Sequence, residues 1–182
     1  LQGKDVRQLL ADGWRPDMVQ AARIAKRLAD ALAYAHGKGV VHCDVKPANI
    51  FMVGRTQPKV LDFGIARVTR RRPRDGRDGN DAAVDIDTGR LDAVSPELGS
   101  PYYVCPEQLR GEEIDARADV YGVGVVLYEM LCGRRAFGGD DLDAIRLAVL
   151  EGAATPAHVI NPKVDAALSD IVARAMACKP GE

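Results

Sequence analysis

The stretch His42-Cys43-Asp44-Val45-Lys46-Pro47-Ala48-Asn49-Ile50 sets a carboxylate, an amine and a carboxamide within six residues, with a proline between them. Those groups suit phosphoryl transfer: a carboxylate to orient and deprotonate an attacking hydroxyl, a cation beside the moving phosphate, and an oxygen for a magnesium ion. Asp44, Lys46 and Asn49 can supply them in that order. A second oxygen ligand, Asp62, follows in Asp62-Phe63-Gly64, thirteen residues after Asn49. Taken singly, such residues most often cap turns at strand ends, so the chemistry lies in their combination.

The loop needs rigid carriers. Two β-prone runs, Val40-Val41 and Ile50-Phe51-Met52-Val53, flank it, and turn chemistry over 54–58 leads to a third, Lys59-Val60-Leu61. Upstream, 5–11 is a short helical stretch and Gly13-Trp14-Arg15-Pro16 a connector. From Asp17 the apolar Met18, Val19, Ala22, Ala25, Leu28, Ala29, Leu32 and Ala35 recur at three and four, which predicts an amphipathic helix about 30 Å long, ended by Gly37 and Gly39. Downstream, Asp115 can cap a helix over 117–131 that is apolar on nearly every face in its middle and so belongs inside a shell of helices. Two more helices are expected, over 142–151 and 164–178, with Ile145, Val149, Ile171, Val172 and Ala175 facing inward.

At 182 residues, 47% apolar and 28% charged, the chain suits one globular domain with a sizeable core. A net charge of -1 argues against a nucleic-acid binder working through a global basic field. No apolar run approaches the roughly 20 residues of a membrane span, and Leu1-Gln2-Gly3-Lys4-Asp5 lacks the apolar core of a signal peptide. Cysteines at 43, 105, 132 and 178 form no C-x-x-C pair, so a reducing, cytoplasmic setting is expected, with any membrane anchor outside this chain. The chain opens without methionine and closes on Lys179-Pro180-Gly181-Glu182 directly after an apolar helical pattern, which reads as an excerpt of a longer protein. Between 68 and 98 the character changes: arginines at 70, 71, 72, 74 and 77 precede aspartates at 78, 81, 85, 87 and 92, the composition of a disordered insertion. Order is expected to resume near Gly99.

The spacing from Asp44 to Asn49, with Asp62-Phe63-Gly64 beyond it, resembles the H-R-D-x-x-x-x-N loop and D-F-G motif of eukaryotic-like protein kinases of the bacterial type. Later features agree in the same order. Cys105-Pro106-Glu107 resembles A-P-E, Ser100 the threonine of the substrate-positioning loop, Asp119 the buried acid of a central helix, and Ala35-His36 the end of the helix before the loop. The resemblance implies a mainly α (α+β) fold: the C-terminal lobe of the catalytic domain over 1–182, a helical bundle around a buried central helix with short β-hairpins carrying the catalytic and metal-binding loops. It implies Asp44 as the base, Lys46 against the γ-phosphate of ATP, Asn49 and Asp62 on magnesium or manganese, and Phe51 beneath adenine. His42, Phe63, Gly64 and Asp119 become structural support, and Ser100 and Glu107 position the peptide. Lys46 and Ser100 resemble the serine/threonine subgroup, so a protein Ser or Thr hydroxyl is the implied acceptor. Glu129 matches a position that meets basic substrates in some kinases, although an exposed glutamate is more often solvated. Aminoglycoside phosphotransferases share the histidine, acid and asparagine but normally lack the segment seen here at 99–107.

Two departures matter. The 182 residues contain no G-x-G-x-x-G-x-V loop, no V-A-I-K lysine and no matching helix glutamate, so the N-terminal lobe that roofs the nucleotide is missing. The isolated chain is therefore expected to bind ATP weakly and to transfer no phosphate; the alternative is a noncatalytic, pseudokinase-like binding module, which has no need of all four site residues. The second departure is Cys43, where the family has an arginine that clasps an activation-segment phosphate, a bidentate contact beyond a thiol. Phosphate-driven ordering of the 46-residue segment 62–107, with Thr69, Thr88 and Ser95 as candidate phosphosites, is expected to be weak. Its arginines would pair with its own aspartates, bind an acidic partner, or simply be solvated.

Overall fold

A computed structural model of the chain describes residues 3–62, 67–68 and 101–179. Over these residues the fold is mainly helical with two small antiparallel sheets, as the resemblance implied.

Aspartates start four of the described helices. α1 (Val6–Ala11), α2 (Met18–His36), α5 (Leu142–Glu151) and α7 (Ala166–Ala175) open on Asp5, Asp17, Asp141 and Asp165, whose carboxylates accept from the backbone N–H three residues on. Each such cap satisfies an orphan donor and is worth about 1 kcal/mol. α5 matches its predicted bounds. The last helix is shorter than 164–178, because Asp165 takes the cap and Met176 ends it; Val164 is buried all the same, in the approach to the helix. Ile171, predicted to face inward, is 58% exposed, since it lies about 100° around the helix from Val172, which is buried.

The central helix is α4 (Arg117–Cys132), which packs against both α2 and α7. Its middle is buried on nearly all sides, from Tyr121 to Leu131, as its apolar run predicted. Ala116 takes the N-cap position, and the Asp115 carboxylate accepts from the Arg117 N–H at 2.8 Å. Gly122 and Gly124 allow the closest approaches. A Cβ on Gly122 would lie 2.7 Å from Val45 Cβ, and one on Gly124 2.8 Å from Ala175 Cβ.

β1 (Gly3–Asp5), β3 (Ile50–Val53) and β4 (Gln57–Val60) form one sheet in the order β1-β3-β4. β4 begins before the predicted run and includes Pro58, tolerated because β4 is an edge strand. Lys4 pairs with Met52, and Ile50 with Val60. The two-residue period of β3 buries Ile50 and Met52 and turns Phe51 and Val53 to the other face, half-buried. β2 (Val40–Val41) pairs with β5 (Arg67–Val68), so Val68, expected to open the insertion, belongs to a strand. α3 (Pro106–Arg110) and α6 (Ala157–Ile160) complete the elements. The remainder of the predicted insertion, with Thr69, Thr88 and Ser95, lies outside the described residues, as do Phe63, Gly64 and Ser100.

Candidate active site

The loop between β2 and β3 is gripped from below by one side chain. Asp119, fully buried in the first turn of α4, accepts the His42 N–H at 2.9 Å on Oδ2 and the Cys43 N–H at 2.8 Å on Oδ1. His36, the last residue of α2, donates its Nε2–H to Oδ2 at 2.7 Å. Three donors make such a carboxylate tolerable in the core, each charge-assisted bond being worth about 1.5–3 kcal/mol.

His42 is also fully buried and acts as a brace. Its Nδ1 accepts the Asp44 N–H at 3.2 Å, which leaves Nε2 to donate to the Leu61 carbonyl at 2.9 Å. The ring therefore ties the 42–50 loop to Leu61, just past the end of β4. Cys43, between them, takes φ +64°, a left-handed conformation that a non-glycine residue adopts at a cost of about 1–3 kcal/mol. Its thiol donates to the Val41 carbonyl at 3.7 Å.

Three predicted residues converge on one another. Lys46 Nζ lies 2.6 Å from Asp44 Oδ2, and Asn49 Nδ2 donates to the same oxygen and to the Asp44 carbonyl, both at 2.9 Å. Both side-chain contacts fall on Oδ2, so Oδ1 is the oxygen of Asp44 open to a further partner among the described residues. The Asp44 and Lys46 side chains are 20% and 19% exposed, sheltered yet reachable. Pro47 opens the 3₁₀ turn Pro47–Asn49 that delivers Asn49 to Asp44.

The hairpin of β3 and β4 brings the second oxygen donor to the same end. Ile50 pairs with Val60, the Leu61 N–H donates to the Asn49 carbonyl at 2.8 Å, and Asp62 follows at φ +57° with its side chain exposed. Aspartate tolerates that conformation better than most residues. The donor chemistry fits magnesium: Asn49 commits its Nδ2 hydrogens to Asp44, so its free ligand atom is the hard oxygen Oδ1, and Asp62 adds a carboxylate. Such an ion usually takes one or two protein oxygens and completes its shell with phosphates and water. Phe51 lies on the half-buried face of β3 beside Gly3, where a Cβ would overlap its ring.

The descending wall is α3 and its neighbours. Glu107 is buried in the first turn of α3, and its Oε2 has no hydrogen-bond partner among the described residues. Its burial suits holding the segment more than touching a peptide. Gln108 bridges two loops: Oε1 accepts the Cys105 N–H and S–H, both at 3.1 Å, while Nε2 donates to the Cys43 carbonyl at 3.0 Å. Burial pushes the Cys105 thiol up to about 12, so it stays a donor. Glu129 proves half-buried and accepts the Tyr103 hydroxyl at 2.6 Å. Burial first, and then Glu129, push Tyr103 well above the ordinary tyrosine range. The Arg135 guanidinium stacks 3.7 Å from the centroid of the Tyr102 ring.

The bridge made by Gln108, the donor role of His36 toward Asp119 and the Leu61 carbonyl were not read from the sequence as parts of the site. Their partners lie 65, 83 and 19 residues away, and no local spacing marks them.

Comparison with known proteins identifies the family. The family model of the protein kinase domain matches residues 1–176. The chain is 36% identical over 167 residues to the serine/threonine-protein kinase Pkn1 of Myxococcus xanthus, covering 86% of this chain and 21% of that protein. It is 33% identical over 186 residues to the serine/threonine-protein kinase pkn3 of the same organism, covering 99% and 32%. A protein named as a probable serine/threonine-protein kinase in Clostridium acetobutylicum is 31% identical over 178 residues, covering 98% and 24%. The chain thus spans about a fifth to a third of the length of these relatives.

Proposed function

The chain belongs to the protein kinase family, and on that premise we propose that it is the catalytic lobe of an enzyme that transfers the γ-phosphate of ATP to serine or threonine hydroxyls of proteins. The observation that carries the reading is the convergence of Lys46 Nζ and Asn49 Nδ2 on one oxygen of Asp44. That arrangement fixes the carboxylate through Oδ2 and leaves Oδ1 as the oxygen that would accept the proton of a substrate hydroxyl. Lys46, partly sheltered from water, is placed to offset charge on the moving phosphoryl group. Asn49 and Asp62 would hold magnesium, which would supply positive charge to offset that developing on the phosphates. The half-buried face of β3 supports Phe51 as the surface beneath adenine.

Ser100, Phe63 and Gly64 keep their proposed roles by resemblance alone: peptide positioning for the first, structural support for the others. Glu107 would act on the peptide indirectly, by seating α3. The roof of the nucleotide site, with a glycine-rich loop and a strand lysine, would come from chain outside these 182 residues. With one wall a pocket falls short of the 70–90% burial typical of a bound ligand.

Phosphate transfer from labelled ATP to Ser-, Thr- and Tyr-containing peptides tests both statements. The full-length protein should label the Ser or Thr peptide, and Asp44→Asn should lower kcat by about 10²–10⁴-fold with the KM for ATP little changed. Residues 1–182 alone should transfer nothing. Wild-type rates in Asp44→Asn would overturn the assignment of the base and favour nucleotide binding without transfer; robust labelling by 1–182 would refute the need for a second lobe.

A further inference from the structure

We propose that Gln108 is a positioning residue for Asp44: from α3 its carboxamide holds the peptide unit that precedes the acid, so that the aim of the acid depends on the seating of α3. The proposal rests on the kinase reading for its catalytic consequence, but not for its structural one.

The peptide unit joining Cys43 to Asp44 is held at both ends. Its carbonyl accepts from Gln108 Nε2 at 3.0 Å, and its N–H donates to His42 Nδ1 at 3.2 Å. The Cys43 N–H one step back is held by Asp119 at 2.8 Å. Because Cys43 sits at φ +64°, its backbone is away from the broad minima and needs such restraint to stay there. Rotation of this plane would swing the Cα–Cβ bond of Asp44, and a displacement of about 1 Å at a reacting group can cost on the order of 10²-fold in rate.

The two ends are not equivalent. His42 and Asp119 belong to the loop and to the central helix, both part of the core. Gln108 belongs to α3, which closes the segment that begins at Asp62. The carboxamide divides its work by atom. Oε1 takes the Cys105 N–H, completing the cap of α3, whereas Nε2 caps nothing and reaches a carbonyl 65 residues away. The amide orientation is dictated by its partners, since an N–H must meet an acceptor and a carbonyl a donor. Cys43, where the family has an arginine, has a thiol turned to the Val41 carbonyl. Here the link from segment to acid runs through an amide and a backbone carbonyl, and needs no phosphate.

Gln108→Glu in the full-length protein separates the two functions. It keeps the oxygen that caps α3 and replaces the donor with an acceptor facing the Cys43 carbonyl. The expected result is a kcat lower by at least about tenfold with both KM values within about twofold, and a melting temperature lowered only by the few degrees that one lost hydrogen bond implies. Amide hydrogen exchange supplies the second reading: the Asp44 N–H should exchange at least about tenfold faster while 106–110 keep their protection. Gln108→Met, which lacks both donor and acceptor, should speed the same amide and additionally loosen α3; it decides the matter if Gln108→Glu does not fold. Unchanged exchange at Asp44 in the folded variants overturns the proposal whatever the activity. A wild-type protein that transfers no phosphate would sink the kinase reading, and the exchange measurement would still judge this one.

Discussion

At the scale of single residues, Asp119 does more than any side chain that would touch substrate. It gathers His36, His42 and Cys43, from the end of one helix and the start of a loop, onto two buried oxygens. Asp119→Asn keeps the shape but turns an NH₂ toward at least one N–H. The His36 ring can switch tautomer to receive it; the His42 N–H cannot become an acceptor. A buried donor left unmet costs about 1–3 kcal/mol. Urea denaturation should show a loss of that order, and kcat should fall with it; if both stay at wild-type values, Asp119 is not the anchor described. Of the site, Asp44, Lys46 and Asn49 were legible because their meeting is local: five residues and a 3₁₀ turn suffice. Gln108 was not, because an amide beside Glu107 looks like any helix surface residue until the carbonyl it meets is known. Glu129 misled for the same reason. Its charge suggested solvent, and tertiary packing gave it the Tyr103 hydroxyl instead.

At the scale of elements, the decisive contact is α4 beneath the catalytic loop. Gly122 sits there with Val45 directly above, so Gly122→Ala sets two known effects against each other. Alanine gains about 1 kcal/mol in helix propensity. Its Cβ, 2.7 Å from Val45 Cβ and 2.9 Å from the Val45 carbonyl oxygen, meets backbone that cannot step aside cheaply, and such overpacking costs about 1–3 kcal/mol. Net destabilisation is expected, together with lower activity from a displaced loop. Gly138→Ala, where a Cβ would meet nothing within 4 Å, is the control and should leave the urea midpoint in place. A stabilised Gly122→Ala would mean that the loop yields to the helix. Among the elements, α5 was legible to the residue because Asp141 and Gly152 punctuate it, whereas α3 and α6 are too short for periodicity to speak. β1 is three residues, Gly-Lys-Asp, with no β-forming side chain; only the register with β3 makes it a strand.

At the scale of the whole molecule, the core stores protons. Burial raises Cys105 from 9.0 to about 12 and raises Tyr121, Tyr103 and Tyr128 above their ordinary 10.0. In each case the folded state keeps a proton that the unfolded chain releases, so this stability is fully present below about pH 9 and is lost as pH climbs through the 9–12 window. The Tyr121 hydroxyl is buried without a hydrogen-bond partner among the described residues, which makes it the cleanest probe. Tyr121→Phe should be neutral or slightly stabilising at pH 7 and should flatten the decline above pH 10; an unaltered alkaline slope would mean that the ring opens to solvent before it ionises. Residue types at short, fixed spacings were enough to point to phosphoryl transfer and to reach the family and the helical periods. The resemblance already pointed to Asp119 as a buried support, but its partners and the contributions of His36 and Gln108 came only with the fold: the three side chains belong to three separate helices, and which groups they meet follows from how those helices pack, with α4 so close under Val45 that a Cβ on Gly122 would lie 2.7 Å from its Cβ.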